Sequence, residues 1–173
     1  MLSDAPNSSV QLVDITPDLL PQVKRLNGVL FPVQYSPSFY KLLLTVGEYA
    51  KLAYFNRVCV GTVGCKLEPI AEDPESDHQL YIMTLGVLAP YRRLGIGRVL
   101  LEHILQAAHT ANYRDHGPVI KRVRLHVQVS NEDAMAFYQR QGFLMVETVP
   151  DYYTRISPAD AYILEKQLLG PSD

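Results

Sequence analysis

The sequence predicts one mixed α/β domain, of the α/β or α+β type with a single main sheet, and three observations carry that prediction. Its apolar pattern reads strand, two helices, three strands, helix, strand, helix, two strands, an interleaving that one sheet flanked by helices accommodates. A length of 173 residues is one domain's worth of chain. Three helix-start signals, Thr16-Pro17, Ser36-Pro37 and Ser130-Asn131, each precede a segment of helical character.

The elements follow in order. Residues 1–9 are polar, contain Pro6 and read as a loose tail before a domain spanning 10–168, with a second short tail at 169–173. Val10–Ile15 alternates as a short strand. Thr16-Pro17 opens a helix to about Val29, which the apolar loop Phe31-Pro32-Val33-Gln34-Tyr35 breaks. Ser36-Pro37 starts a second helix, Phe39 to Val46. Lys51–Phe55 and Val58–Leu67 are strands joined at Asn56-Arg57, a tight hairpin turn. The acidic stretch Pro69–Gln79 is a loop, and Leu80–Leu88 a nearly unbroken apolar strand. Ile96–Thr110 is helical, with Val99, Leu100, His103, Ile104 and Ala107 on one face. Val123–Val129 is a strand whose Arg124, His126 and Gln128 point one way and whose Leu125, Val127 and Val129 point into the core. A helix from Asn131 to Gln141 ends at Gly142. Phe143–Val149 and Tyr162–Leu168 are the last strands, separated by an aromatic loop, Pro150–Ala159.

Composition excludes several classes. Apolar residues are 47% and charged residues 20%, a globular profile. With 16 Lys plus Arg against 18 Asp plus Glu, the net charge of −2 lacks the basic excess of a nucleic-acid coat. Cys59 and Cys65 have neither a disulfide-scaffold count nor a zinc spacing, which fits a reducing, cytosolic setting. The chain has no apolar run of ~18 residues and no signal-peptide pattern at its start, so no membrane partner is expected. His103, His109 and His116 lack ligand spacing, and no metal site is expected.

One turn carries chemistry. Arg92-Arg93-Leu94-Gly95-Ile96-Gly97 lies where a buried strand gives way to a helix. Glycines there let backbone N–H groups approach a ligand, the helix N-terminus favours anions, and Arg92, Arg93 and Arg98 add cationic donors. The place suits phosphate, although an ordinary glycine-rich turn has the same composition. Leu100 stands where a dinucleotide fingerprint needs its third glycine, and no Walker loop occurs, which disfavours hydride transfer and nucleotide hydrolysis.

This turn, followed by a strand, by Asn131-Glu132-Asp133-Ala134-Met135-Ala136-Phe137-Tyr138 and by Gly142-Phe143, resembles the GNAT acetyltransferases. Phe31-Pro32-Val33-x-Tyr35, Tyr81-Ile82-Met83-Thr84-Leu85-Gly86, Leu125-His126-Val127-Gln128 and Tyr152-Tyr153 with Ile156 make it similar to the NatE-type N-alpha-acetyltransferases, over about residues 10–168. The resemblance implies a single, mostly antiparallel sheet splayed at the cofactor site and flanked by helices. It implies acetyl-CoA, held by Leu85, Gly86, Val87, Arg92, Arg93, Leu94, Gly95, Ile96, Gly97, Arg98, Asn131, Ala134 and Tyr138. It implies proton handling by Tyr81 and His126 on a bridging water, and a peptide pocket of Phe31, Pro32, Val33, Tyr35, Met83, Tyr152, Tyr153 and Ile156 for Met-Leu-type N-termini. It implies association with NatA subunits at the ribosome, in the cytoplasm and also the nucleus. From the residues alone His126 reads equally as a solvated histidine, Tyr81 as a core or interface tyrosine, and the aromatic loops as a small satellite core. An α-amine with a pKa of about 7.7–8.0 is roughly 3–4 kcal/mol easier to deprotonate than a lysine, so a histidine base matches the α-amine. The expected activity is N-terminal acetylation, with lysine ε-acetylation or a non-catalytic acetyl-CoA-binding scaffold as the alternatives.

Overall fold

A computed structural model describes residues 10–73, 75–114 and 116–168, and the two expected tails lie outside them. In chain order the elements are β1 (Val10–Asp14), a 3₁₀ turn (Pro17–Leu19), α1 (Leu20–Leu30), α2 (Pro37–Leu43), a second 3₁₀ turn (Gly47–Tyr49), β2 (Ala50–Phe55) and β3 (Val58–Pro69). There follow β4 (His78–Val87), a third 3₁₀ turn (Ala89–Tyr91), α3 (Ile96–Ala111), β5 (Ile120–Gln128), α4 (Glu132–Arg140), β6 (Leu144–Val149) and β7 (Ala161–Gln167). The seven strands form one mixed sheet in the order β1-β2-β3-β4-β5-β7-β6. β4 and β5 run parallel, whereas β1/β2, β2/β3, β5/β7 and β6/β7 are antiparallel. The expected sheet and its element order are therefore present. The described residues divide into two compact units, one from 10–65 with 84–106 and the other from 66–83 with 107–168.

In the first unit β1 pairs with β2 from Val10↔Phe55 to Asp14↔Lys51. That register brings the buried Lys51 ammonium onto Asp14, with Glu48 at 3.2 Å as a second partner. Two carboxylates offset the desolvation of one buried cation. The β2–β3 hairpin closes at Asn56 and Arg57, both at positive φ (47° and 69°), the conformation a two-residue turn between twisted strands requires. Thr16 departs from expectation. Its side chain caps nothing, and the helix opens as a 3₁₀ turn before Pro21 admits the first α-helical turn. Ser36 does cap: its Oγ accepts from Phe39 N–H at 3.3 Å. α2 stops at Leu43 rather than Val46, ahead of Gly47 at φ +56°. The buried stripe of α3 is Ile96, Leu100, Leu101, Ile104 and Ala108, a rotation from the expected face that leaves Val99, His103 and Ala107 at its border.

In the second unit β5 alternates as expected, with Val123, Leu125 and Val127 buried and Arg124, His126 and Gln128 half-buried, though Val129 is only half-buried. β7 pairs with β5 through His126↔Ile163 and with β6 on its other side. Asn112 fixes the start of β5. Its Nδ2 donates to the Ile120 carbonyl at 2.9 Å, and its Oδ1 accepts from Ile120 N–H at 2.7 Å. Asn131 caps α4 by accepting from Ala134 N–H at 3.1 Å. Gly142 ends it at φ +87°.

Gly64 tests how tightly the first unit fits together. A Cβ there would meet Leu43 Cδ2 at 2.7 Å and Thr84 Oγ1 at 2.9 Å, so Gly64→Ala is expected to lower stability by about 1–3 kcal/mol. Gly28 on α1 has open space around it, and Gly28→Ala should stabilise by about 0.5–1 kcal/mol. Urea unfolding of the two variants checks both signs.

Candidate active site

The strand register builds the site. Tyr81 on β4 lies opposite Arg124 on β5, and the parallel ladder between these strands ends at that pair. His126 is two residues beyond Arg124 and so shares its face of β5, diagonal to Tyr81. Tyr81 Oη and His126 Nδ1 meet at 2.5 Å. The two side chains touch directly. Met83, two residues on from Tyr81, is half-buried on the same face of β4.

Three groups hold the pair. Tyr152 stacks flat on the imidazole, with ring centroids 4.0 Å apart and planes inclined by 4°, and its hydroxyl is 3.4 Å from that of Tyr81. Tyr153 closes edge-on against Tyr152. Lys66 Nζ sits 5.2 Å from the centre of the Tyr81 ring, a cation over a π face. The loop carrying Tyr152 is tied back at several points. Val129 N–H donates to the Asp160 carbonyl at 3.1 Å, Tyr153 N–H to the Ala159 carbonyl at 2.8 Å and Asp151 N–H to Asp160 Oδ1 at 2.9 Å. Gln128 Nε2 donates to the Pro158 carbonyl at 2.8 Å. Ile156 is half-buried on this loop.

Charge around the pair is balanced. Arg124 Nε donates to Glu165 Oε2 at 2.7 Å, and Arg122 lies 3.6 Å from the same oxygen. These arginines are thus ion-paired. Burial, then the Arg124 charge, pushes the His126 pKa below its ordinary value, with Glu147 opposing. Burial, then the bond to Tyr152, pushes the Tyr81 hydroxyl well above the usual tyrosine range. At neutral pH both groups are uncharged. A phenol is the better donor and a bare imidazole nitrogen the better acceptor, so Tyr81 O–H donates to Nδ1 and the ring hydrogen sits on Nε2.

The glycine turn belongs to the first unit. Arg92 Nε donates to the Val87 carbonyl at 2.9 Å, which ties that arginine to the end of β4. Arg93 (φ +64°) and Gly95 (φ +80°) both adopt left-handed backbone, and a Cβ at Gly95 would meet nothing within 4 Å. Arg92, Arg93 and Leu94 are exposed and Gly97 is half-buried, while Ile96 is buried and offers a ligand only its backbone. Arg98 pairs with Glu102 one helical turn on, at 2.6 Å. Leu85 is half-buried, and Val87 is buried. Gly86 has a task its sequence did not disclose: a Cβ there would meet Phe31 Cζ at 2.9 Å, so its absence seats the Phe31 ring. Phe31 meets Tyr35 edge-on at 6.1 Å, and Tyr35 stacks on Phe39 at 4.3 Å, while Pro32 and Val33 are exposed.

Of the α4 residues, Asn131 and Ala134 are joined by the cap, and Tyr138 is 6% exposed between the rings of Phe137 and Phe143. His103 Nε2 lies 2.9 Å from Glu48 Oε2. Among the described residues no three His, Cys, Asp or Glu gather as a metal site, and no helix is long and apolar enough to cross a membrane. Sequence reading missed Tyr152 as a stacking partner, Lys66 over Tyr81 and Glu165 beneath the arginines. Each contact depends on register or loop return, and no local pattern announces it.

Comparison with known proteins places this arrangement. The acetyltransferase (GNAT) family profile matches residues 18–143. The chain is 49% identical to N-alpha-acetyltransferase 50 of Danio rerio over 94% of its own length and 90% of the relative's. It is 47% identical to the probable N-acetyltransferase san of Drosophila melanogaster, over 93% and 82%. Among solved structures it resembles Arabidopsis thaliana Naa50 in complex with the bisubstrate analogue CoA-Ac-MVNAL, with a TM-score of 0.83, 42% identity, and coverage of 92% of this chain and 99% of that one.

The electrostatics predict a titration. His126 should gain its proton below the roughly 6.5 of an ordinary histidine, and Arg124→Gln should raise that midpoint by removing a nearby cation. NMR titration of the ring carbon-bound protons in both proteins reads the two midpoints.

Proposed function

The chain belongs to the acetyltransferase (GNAT) family, among its N-alpha-acetyltransferases, and we propose that it acetylates the free α-amine of protein N-termini beginning with Met followed by an apolar residue. The Tyr81–His126 hydrogen bond carries this reading. The reacting amine must shed a proton before it attacks. Its proton passes to Tyr81 Oη, directly or through one water, as the Tyr81 hydroxyl proton passes to His126 Nδ1. Nε2 keeps its hydrogen throughout, and the charge gained appears on the imidazole. A base titrating below the α-amine suits that amine and leaves a lysine out of range, which favours N-terminal over lysine acetylation. Tyr152 keeps the ring plane fixed while this charge appears.

Acetyl-CoA, when bound, supplies the activated acetyl group. The 92–98 turn fits its pyrophosphate: exposed Arg92 and Arg93, left-handed backbone at Arg93 and Gly95, and open space at Gly95. The resemblance assigns substrate contact in the first unit to Phe31, Pro32, Val33 and Tyr35, where the Phe31–Tyr35–Phe39 ladder offers an apolar wall, and in the second unit to Met83, Tyr152, Tyr153 and Ile156. The Arabidopsis complex supports a Met-first substrate, because the peptide part of its analogue, MVNAL, begins with Met. The resemblance to the NatE type extends the proposal to association with NatA subunits at the ribosome, and to action in the cytoplasm and the nucleus.

Activity on a Met-Leu peptide with a free N-terminus, none on its blocked form and little on an internal lysine would bear the reading out. The reverse order would overturn it. His126→Ala and Tyr81→Phe should each lower kcat by about 10²–10⁴-fold, with acetyl-CoA affinity unchanged within about threefold. Single-turnover rates and calorimetric titration separate the two effects.

A further inference from the structure

One row of the sheet in the second unit joins the reacting pair to a buried charge. Tyr81 on β4 registers with Arg124 on β5, and Arg124 with Glu165 on β7. Opposed residues on one face of a sheet stand close enough for their side chains to meet. Arg124 therefore has a phenol on one side and a carboxylate on the other. It is bound to the carboxylate, its Nε donating to Glu165 Oε2 at 2.7 Å. Arg122 lies 3.6 Å from the same oxygen, and Gln167 Nε2 donates to Oε1. Three donors fix a carboxylate that is only 9% exposed. Lys66, the cation over the Tyr81 ring, is held likewise, 3.3 Å from Glu68 Oε2. Gln79 joins the two ion pairs: its Nε2 donates to Glu68 Oε1 at 2.8 Å, and its Oε1 accepts from Arg122 Nε at 2.9 Å. A buried ion pair adds little stability over an apolar pair of the same shape, so stability alone does not account for Glu165 beside the reacting groups.

We infer that Glu165 is a positioning residue for the Tyr81–His126 relay: it draws the Arg124 guanidinium to the β7 side of the row and keeps it off the phenol oxygen. The inference rests on the N-terminal acetylation reading, in which Tyr81 Oη receives the amine's proton as its own passes to His126 Nδ1. A guanidinium has five N–H donors and no acceptor. Released from Glu165, Arg124 would donate to Oη and fill the lone pair that the amine's proton needs. Its positive charge would also oppose the arriving proton, and the imidazolium that stores it. The charged and titratable groups about His126 are Tyr81 on β4, Arg124 on β5, Glu147 on β6, Tyr152 and Tyr153 on the loop that follows, and Glu165 on β7. Of these, Arg124 is the cation, and Glu165 is the carboxylate bound to it.

The test is the pH profile of kcat on a Met-Leu peptide, measured with the full chain and counted per acetyl-CoA-binding site so that only folded protein enters. Glu165→Gln keeps the side chain's shape and removes the charge that draws Arg124. Its kcat on the neutral plateau should fall about 10- to 100-fold, with the KM for acetyl-CoA unchanged. The acid limb, where His126 gains its proton, should move to lower pH by about 0.5 unit, because the freed cation opposes the imidazolium. Adding Arg124→Gln to Glu165→Gln should bring the plateau back to within about threefold of the parent chain and return the limb toward its place. A carboxylate that serves stability alone moves neither the plateau per site nor the limb. A Glu165→Gln plateau within about threefold of the parent, a limb that stays put, or a loss that Arg124→Gln does not restore overturns the positioning role and leaves the N-terminal acetylation reading standing. Absence of turnover by the parent chain on Met-Leu peptides overturns that reading and the positioning role with it. Should Glu165→Gln not fold, Glu165→Asp, which draws the carboxylate back by one carbon, decides by the same rescue.

Discussion

A hydrogen bond between two uncharged groups, the Tyr81 phenol and the His126 imidazole, is the contact around which the second unit is organised. Each partner taken alone is unremarkable. Together they form a path that accepts a proton at one end and stores it at the other. The path requires both groups to be neutral before reaction, and burial supplies that condition by raising the phenol and lowering the imidazole. Burial by itself would also make a charged imidazole costly to form. Half-exposure of His126, and the Glu147 carboxylate acting against Arg124, keep that cost moderate.

The surrounding residues follow from the same need. An imidazole on a strand face can rotate about its side-chain bonds, and only some rotations put Nδ1 toward β4. The Tyr152 ring lies parallel to it and removes that freedom. Tyr152 can do so because hydrogen bonds at Val129, Gln128, Asp151 and Tyr153 return its loop to the end of β5. Glu165 pairs Arg124 and so limits how far that cation depresses its strand neighbour.

Much of this was legible in the sequence. The glycine turn, the capping asparagine before α4 and the alternation of β5 follow from local chemistry: left-handed backbone, an orphaned helix N–H and a two-residue side-chain period. Tyr81 and His126 were both visible as candidates, one on each of two strands. What the sequence could not express is that β4 and β5 register at Tyr81↔Arg124, because a strand pattern fixes which face a residue takes and not which neighbour it meets. Thr16 shows the opposite failure: the right residue type before a proline, with no hydrogen bond made. Gly86 reads as part of a cofactor strand, and only the arrival of Phe31, 55 positions earlier in the chain, explains why a side chain there would not fit.

The proton path depends on where one hydrogen sits. Nitrogen NMR of the histidine rings at neutral pH distinguishes the two neutral tautomers and the imidazolium. We predict that His126 is neutral with its hydrogen on Nε2, and that Tyr81→Phe alters the Nδ1 resonance by removing its donor. A His126 found charged at that pH, or carrying its hydrogen on Nδ1, would contradict the path.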